Sequence, residues 1–157
     1  MKKTTFKNTV HGILGESYMV YVVCLVAGVF MHSLFDIDLI SQNLQYFGVF
    51  CMVFSPLLIS SAQRASRRFK QVHAEREVGP SDFMHGPYKY LQSPTHMGIF
   101  LLSIGFSIVM NSAMLVVATF VAYLITHLIF LPKEQEVLKR KYGATYEAYL
   151  KKVKLSI

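Results

Sequence analysis

Two short stretches of the 157-residue sequence hold most of the residues that could do chemistry. The first, GPYKYLQSPTHMG, begins at Gly86 and contains Ser93 and Pro94, and the second, PKEQEVLKRKYGATYEAYL, begins at Pro132. Ser93 followed by Pro94 predicts a helix start, because a serine side chain can cap free N–H groups and proline is tolerated in the first turn. The same N–H groups can hold an anion such as a carboxylate. Glu134, in the second stretch, could face a cation.

The composition indicates that these stretches border a membrane. The chain is 53% hydrophobic but only 16% charged, where a soluble domain carries about 25% charged residues, and its mean hydropathy is +0.39. The longest run without Asp, Glu, Lys or Arg is 90–132, whose 43 residues exceed the length of two helices of about 20 residues. The polar pair Asn111-Ser112 divides this run. We therefore predict an all-α integral membrane protein, a single membrane domain over residues 1–157. Its four predicted transmembrane helices lie at about 17–35, 45–63, 94–110 and 113–132.

The basic residues indicate on which side of the membrane the two stretches lie. Of the sixteen Lys and Arg residues, three precede the first span, six lie between the second and third, and seven follow the fourth. The positive-inside rule therefore predicts a multi-pass protein with both termini in the cytoplasm. The net charge of +7 is then a property of membrane topology, and no nucleic-acid partner is expected.

The segment after Pro132 predicts an amphipathic cytoplasmic tail. Apolar residues recur with helical spacing, and Gly143 predicts a helix end or bend among them. The stripe consists of residues 138, 142, 146, 149, 150 and 153. Because the third and fourth spans have nearly equal lengths, Glu134 should return to the membrane depth of Tyr88 and His96. These residues predict a cytoplasmic pocket that could hold a zwitterionic amino-acid group.

The cysteines and histidines do not indicate a metal site. Cys24 and Cys51 fall in the middle of predicted spans, and no CxxC motif or His/Cys cluster has metal-ligand spacing. We therefore predict two reduced packing cysteines and no bound metal.

At these two stretches the sequence resembles the isoprenylcysteine carboxyl methyltransferase and phospholipid methyltransferase family of integral membrane enzymes. The family pattern is roughly G-x-Y-[RK]-Y-x-R-H-P-x-Y-x-G, followed after a helical hairpin by E-E-x-x-L-x-x-x-F-G-x-x-Y-x-x-Y. The motifs and hairpin cover residues 80–150. The matching positions are Gly86, Tyr88, Lys89, Tyr90, Pro94, Gly98, Glu134, Leu138, Gly143, Tyr146 and Tyr149, with Tyr142 in place of the Phe.

The resemblance implies an S-adenosylmethionine-dependent methyltransferase that acts on a small lipophilic or lipid acceptor. The cofactor would lie near the cytoplasmic face, between segments 80–98 and 132–150, in a pocket open to the bilayer. The cofactor contacts implied by position are Pro80, Ser81, Asp82, Phe83, Tyr88, Ser93, Pro94, Thr95, His96 and Glu134.

The sequence departs from the family pattern at several of these positions. The Arg-His pair is Gln92-Ser93, the following Tyr is His96, and the second Glu is Gln135. The change removes positive charge where a methionine carboxylate would bind, although His96 could replace one donor. In the prenylcysteine enzymes an Arg four residues before the retained Glu is linked to the substrate carboxylate. Because that position is Phe130 here, a prenylcysteine carboxylate substrate is disfavoured.

Methyl transfer from a sulfonium is an in-line displacement that depends on alignment, so it needs no dedicated nucleophile. We therefore name no catalytic residue, although His96 or Glu136 could assist an acceptor that must lose a proton. Two alternatives remain open. The departures from the pattern suit a degenerate, non-catalytic membrane scaffold of the same fold, and the membrane sterol reductases, which bind NADPH in similar C-terminal helices, suggest an NADPH-dependent reductase. The expected partners are the lipid bilayer and a lipophilic substrate, and a homodimer is plausible because a pocket open to lipid needs few walls.

Overall fold

The computed structural model describes residues 10–35, 37, 42–72, 79 and 83–153. These residues form helices joined by short turns, with no strand among them, which confirms the all-α prediction. In chain order the elements are α1 (Val10–Phe35), α2 (Gln42–Val72), a 3-10 helix (Gly86–Lys89), α3 (Pro94–Val109), α4 (Ala113–Ile125), a π-helix (Thr126–Phe130), α5 (Leu131–Tyr142) and α6 (Ala144–Lys152).

Among the described residues, three helical segments are long and apolar enough to cross a membrane: Gly12–Phe35, Leu44–Phe69 and Ala113–Tyr142. These correspond to three of the four predicted spans. The helix α3 is apolar but has only 16 residues, a length of about 24 Å at ~1.5 Å per residue, against a hydrocarbon core of about 30 Å. The third predicted span therefore stays a prediction.

Small residues allow the helices to approach closely. The helix α3 packs on α2 and α4, and α1 packs on α4. A Cβ atom added to Gly105 would lie 2.7 Å from the carbonyl oxygen of Gly48, so only glycine permits this separation of α2 and α3. Gly28 makes a similar approach to Ala118 of α4. These contacts place the first turns of α1 and α3 at the same end of the bundle as the last turn of α4.

The turn between α3 and α4 lies at Asn111-Ser112, as predicted. Asn111 adopts a left-handed conformation with φ 52°, which asparagine tolerates better than most residues. The Ser112 side chain accepts a hydrogen bond from the backbone N–H of Leu115, so it caps α4. This turn brings α4 back toward the end of the bundle at which α3 begins.

The helix that follows this turn continues past residue 132, where the prediction ended the fourth span. It runs from Ala113 to Tyr142 and contains Pro132, whose ring would clash with the carbonyl four residues earlier in a regular α-helix. The π-helix immediately before the proline widens the backbone, and Leu131 donates its N–H to the carbonyl of Thr126. The chain thus accommodates Pro132 without ending the helix.

The helix ends instead at Gly143, which has φ 57° and separates α5 from α6. This confirms the predicted break. Residues of the predicted apolar stripe then pack together beside the 3-10 helix. The cluster consists of buried Tyr146, Tyr149 and Val153, with Phe83, Met84, Leu138, Tyr142 and Leu150 packed against them.

Candidate functional site

The first turn of α3 carries a buried histidine that joins three helices. His96 is 6% exposed, and its Nε2 atom lies 2.8 Å from Oε2 of Glu134 on α5. On the other side of the ring, Nδ1 lies 3.4 Å from Oγ of Ser17 on α1. Ser17 is completely buried. The histidine therefore holds α1 and α5 against the start of α3.

Both ring nitrogens of His96 have hydrogen-bond partners. The Ser17 hydroxyl donates to the carbonyl of Leu14 at 2.8 Å, which leaves its oxygen to accept from His96 Nδ1. On the other side of the ring, Nε2 faces the Glu134 carboxyl group. Ser17 and Glu134 therefore fix the orientation of the imidazole from both sides.

Tyr88 lies beside this pair. Its phenol is hydrogen-bonded by the Thr95 side chain, and burial, with a smaller contribution from the Glu134 charge, raises the pKa of Tyr88 above its usual value. The phenol therefore stays protonated and can donate a hydrogen bond. Tyr18 of α1 also lies within electrostatic range of Glu134 and Tyr88. The described part of the site thus offers one carboxylate, one imidazole and two phenols.

The helix α6 holds Tyr88 in place. The Tyr149 hydroxyl donates to the Tyr88 carbonyl at 2.8 Å. Gly86, at the start of the 3-10 helix, has φ 57°, a conformation that glycine adopts without a steric penalty. Burial raises the pKa of Tyr146 and of Tyr149, and in Tyr146 the Glu134 charge adds to this effect. The aromatic cluster therefore forms a neutral wall behind the carboxylate.

The structure confirms the predicted start of α3, but it does not show the predicted hydrogen bond from the helix to the Ser93 side chain. Pro94 opens the helix and Ser93 occupies the N-cap position, yet the Ser93 side chain makes no capping hydrogen bond. Ser93 is 7% exposed. The first helical hydrogen bond joins the Met97 N–H to the Ser93 carbonyl, so the N–H groups of Thr95 and His96 precede the helical ladder. The site thus keeps the N–H groups that sequence reasoning assigned to an anion.

Two of the departures from the family pattern contact each other. Gln135 Nε2 donates to Gln92 Oε1 at 3.1 Å, and Gln92 Nε2 donates to the Val153 carbonyl at 2.8 Å. At these positions the pattern has an Arg and a Glu, which carry opposite charges. The neutral pair therefore joins the segment just before α3 to α5.

Of the four remaining predicted cofactor contacts, the structure describes only Phe83. Pro80, Ser81 and Asp82 lie outside the described residues. The Phe83 ring packs on Phe69 at 4.8 Å between centroids and on other rings of the aromatic cluster, so its contact with a cofactor stays a prediction. Among the described residues, no group of three or more His, Cys, Asp or Glu side chains could hold a metal ion.

Sequence reasoning missed Ser17 and Tyr18. Both lie in the first half of α1, and Ser17 precedes His96 by 79 residues. Their polarity at the start of an otherwise apolar span was the available signal. Nothing local in the sequence indicates that this turn of α1 meets the start of α3.

Comparison with known proteins gives one match. The family model described as phospholipid methyltransferase matches residues 44–145. This range contains α2 except its first two residues, all of α3, α4 and α5, and the residues His96 and Glu134. No curated protein and no solved structure matched the sequence. Because the match covers most of the chain and includes the first motif stretch and the second up to residue 145, the protein belongs to the phospholipid methyltransferase family.

Proposed function

We propose that the protein is a membrane-embedded, S-adenosylmethionine-dependent methyltransferase that acts on a small lipophilic or lipid acceptor. The observation that carries this proposal is the buried His96–Glu134 pair at the N-terminus of α3, with Tyr88 beside it. The family gives the reaction class, and the pair gives a site whose charges suit the methyl donor.

The residues of the site fit the amino-acid portion of the cofactor. That portion carries a carboxylate and an ammonium group. The backbone N–H groups of Thr95 and His96 would hold the carboxylate, because a helix N-terminus favours an anion. Glu134 would hold the ammonium group, and the Tyr88 phenol could donate to either an oxygen of the cofactor or Glu134.

When bound, the cofactor would supply an electrophilic methyl group on a sulfonium. The protein's contribution would then be to align the acceptor and exclude water, and no nucleophilic side chain is needed. An amine acceptor would also have to lose a proton. Glu136 is 61% exposed and bonds Arg140 on the outer face of α5, so His96 is the better placed of the two predicted proton acceptors.

The positions of the apolar helices and of the basic residues support a site at the cytoplasmic face, with both termini on that side. An acceptor would enter from the bilayer between the helices. Phe130, buried at 8% exposure, offers no charge to a substrate carboxylate, so an amine or another uncharged acceptor suits the site better than a prenylcysteine.

Titration calorimetry of the purified protein in detergent tests the proposal. We expect S-adenosylmethionine and S-adenosylhomocysteine to bind, and NADPH not to bind. Absence of binding at about millimolar cofactor would refute the methyltransferase assignment. Binding of NADPH alone would favour the reductase.

One observation favours the non-catalytic alternative. The Glu134 carboxylate already has an internal partner in His96, and a degenerate relative could retain this pair for stability alone. That alternative predicts that Glu134→Gln lowers stability and leaves the protein's cellular role intact in a stabilised background.

A further inference from the structure

A groove of about 650 Å³ lies beside the candidate site, between the first turns of α1 and the outer face of α5. Its volume is within the range of about 300–1,000 Å³ typical of small-molecule sites. The lining combines an apolar floor with charged side chains. The lining includes Ile13, Glu16, Lys133, Glu136, Arg140 and Lys141.

The groove adjoins the candidate cofactor site along α1 and α5. Residues 133, 136, 137, 140 and 141 recur at intervals of three and four, so they share one face of the helix. Glu134, three residues before Val137 and seven before Lys141, borders this face and bonds His96.

The charges of the groove favour an anion. Lys133, Arg140 and Lys141 outnumber Glu16 and Glu136, which leaves a net charge of +1. Glu136 bonds one nitrogen of Arg140 at 2.6 Å, and the guanidinium has five N–H donors, so others remain free to bind a phosphate.

The two lysine amines of the groove lining lie over aromatic rings. The Lys133 amine lies 5.6 Å from the centroid of the Phe130 ring, and the Lys141 amine lies 5.1 Å from that of Tyr142. Both distances are within the range of a cation–π contact. The contacts limit the freedom of the two side chains, so less entropy is lost when they bind an anion.

An apolar surface continues from the groove along the membrane-spanning helices. Met19 and Val23 follow Glu16 on the same face of α1, at intervals of three and seven residues, and are 64% and 61% exposed. Ile129 precedes Lys133 by one turn and is 46% exposed. A ligand with a charged head in the groove and acyl chains along these residues fits both parts of the surface.

We propose that this groove binds the phosphate headgroup of an anionic phospholipid, with the acyl chains along α1 and the π-helix. Lys133, Arg140 and Lys141 bind the phosphate, and Glu16 disfavours headgroups with more than one negative charge. The proposal does not rest on the proposed methyl transfer, and the lipid that the groove holds is a structural or regulatory ligand rather than the methyl acceptor.

Native mass spectrometry of the full chain in detergent can measure the binding. The probes are dioctanoyl phosphatidylglycerol, the matching phosphatidylethanolamine and phosphatidylcholine, and inorganic phosphate. We expect phosphatidylglycerol to bind at least about fivefold more tightly than the zwitterionic lipids, because one basic side chain near a membrane contributes roughly this factor. Equal affinity for the three lipids would overturn the proposal, and so would tight binding of inorganic phosphate, which lacks the apolar part.

Three variants locate the site. Lys133→Gln combined with Lys141→Gln should weaken phosphatidylglycerol binding at least about tenfold. Glu16→Gln should strengthen it, a result that a misfolded protein would not give. The matched control is Lys151→Gln combined with Lys152→Gln, two exposed lysines of α6 outside the groove. If the control weakens binding as much as the groove variant, or if Glu16→Gln weakens it, the proposal is wrong.

Discussion

Nε2 of His96 lies 2.8 Å from Oε2 of Glu134, and the two residues are 38 positions apart in the chain. The contact joins the beginning of α3 to α5, and the side chains are only 7% and 12% exposed. A buried carboxylate and a buried imidazole tolerate this environment because each supplies the other's hydrogen-bond partner. Removing one partner therefore affects both the stability of the bundle and the charge of the site.

Ser17 positions the histidine, and Ser17→Ala tests this role. Loss of the hydroxyl leaves His96 Nδ1 buried without its acceptor, so we expect the free energy of unfolding to fall by about 1–3 kcal/mol. Affinity for S-adenosylhomocysteine should also fall, because the ring is no longer fixed. Ser33→Ala is the matched control, since Ser33 makes the same bond to its own helix at 2.7 Å but is exposed. Equal effects of the two changes on cofactor affinity would contradict the positioning role.

The Gln92–Gln135 contact predicts coupling between two substitutions. Gln135→Glu alone places a carboxylate against Gln92 Oε1, and the fold should lose about 1 kcal/mol. Gln92→Arg in the same chain should restore the lost stability, since an ion pair replaces the amide pair. A double-mutant cycle by chemical denaturation measures the interaction, which we expect to be about 0.5–3 kcal/mol. Additive effects would show that the two positions are independent.

Tyr146 predicts a loss of stability at alkaline pH. Burial raises the pKa of Tyr146 above its usual value near 10, so the folded state binds more protons than the unfolded state above that pH. The stabilisation is therefore complete below pH 10 and decreases as the pH rises. Tyr146→Phe should unfold with a weaker pH dependence between about pH 9 and pH 11. Tyr46→Phe, at a residue 77% exposed, is the control, and an unchanged pH dependence in Tyr146→Phe would contradict the prediction.

Gly143 predicts a backbone effect at the junction of α5 and α6. Its φ of 57° and ψ of −136° belong to a region that residues with a Cβ atom rarely adopt, so Gly143→Ala should cost about 1–3 kcal/mol. No atom lies within 4 Å of the added Cβ, so a steric clash is not the cause. Gly15→Ala is the control, because Gly15 has equal space within a regular helix. Thermal unfolding of both variants in detergent measures their stability, and an equal change in the two midpoints would contradict a backbone effect at Gly143.

The sequence predicted the features that depend on local patterns. Long charge-free runs became helices because only a helix satisfies its own backbone inside a membrane, and Asn111 and Gly143 fall where left-handed conformations interrupt them. The extension of α2 to Val72 was missed because the charged residues after Gln63 continue the helix beyond the apolar run.

Long-range contacts could not be predicted from these patterns. The role of Ser17 depends on the packing of α1 beside α3, and the Gln92–Gln135 pair depends on the helix continuing past Pro132. Proline normally ends or kinks a helix, and no local sequence pattern signals the π-helix that accommodates it. The backbone of Ser93, with φ −133° and ψ 74°, lies outside the extended region that N-cap residues typically adopt, and its side chain makes no capping bond.

Calorimetric titration of S-adenosylhomocysteine into three proteins tests the central claim most directly. The wild-type protein should bind, and Glu147→Gln, a change at an exposed residue of α6, should bind equally well. Glu134→Gln should weaken binding at least about tenfold, since a hydrogen bond to a charged group contributes about 1.5–3 kcal/mol. Equal affinity in all three folded proteins would contradict a cofactor site built on Glu134.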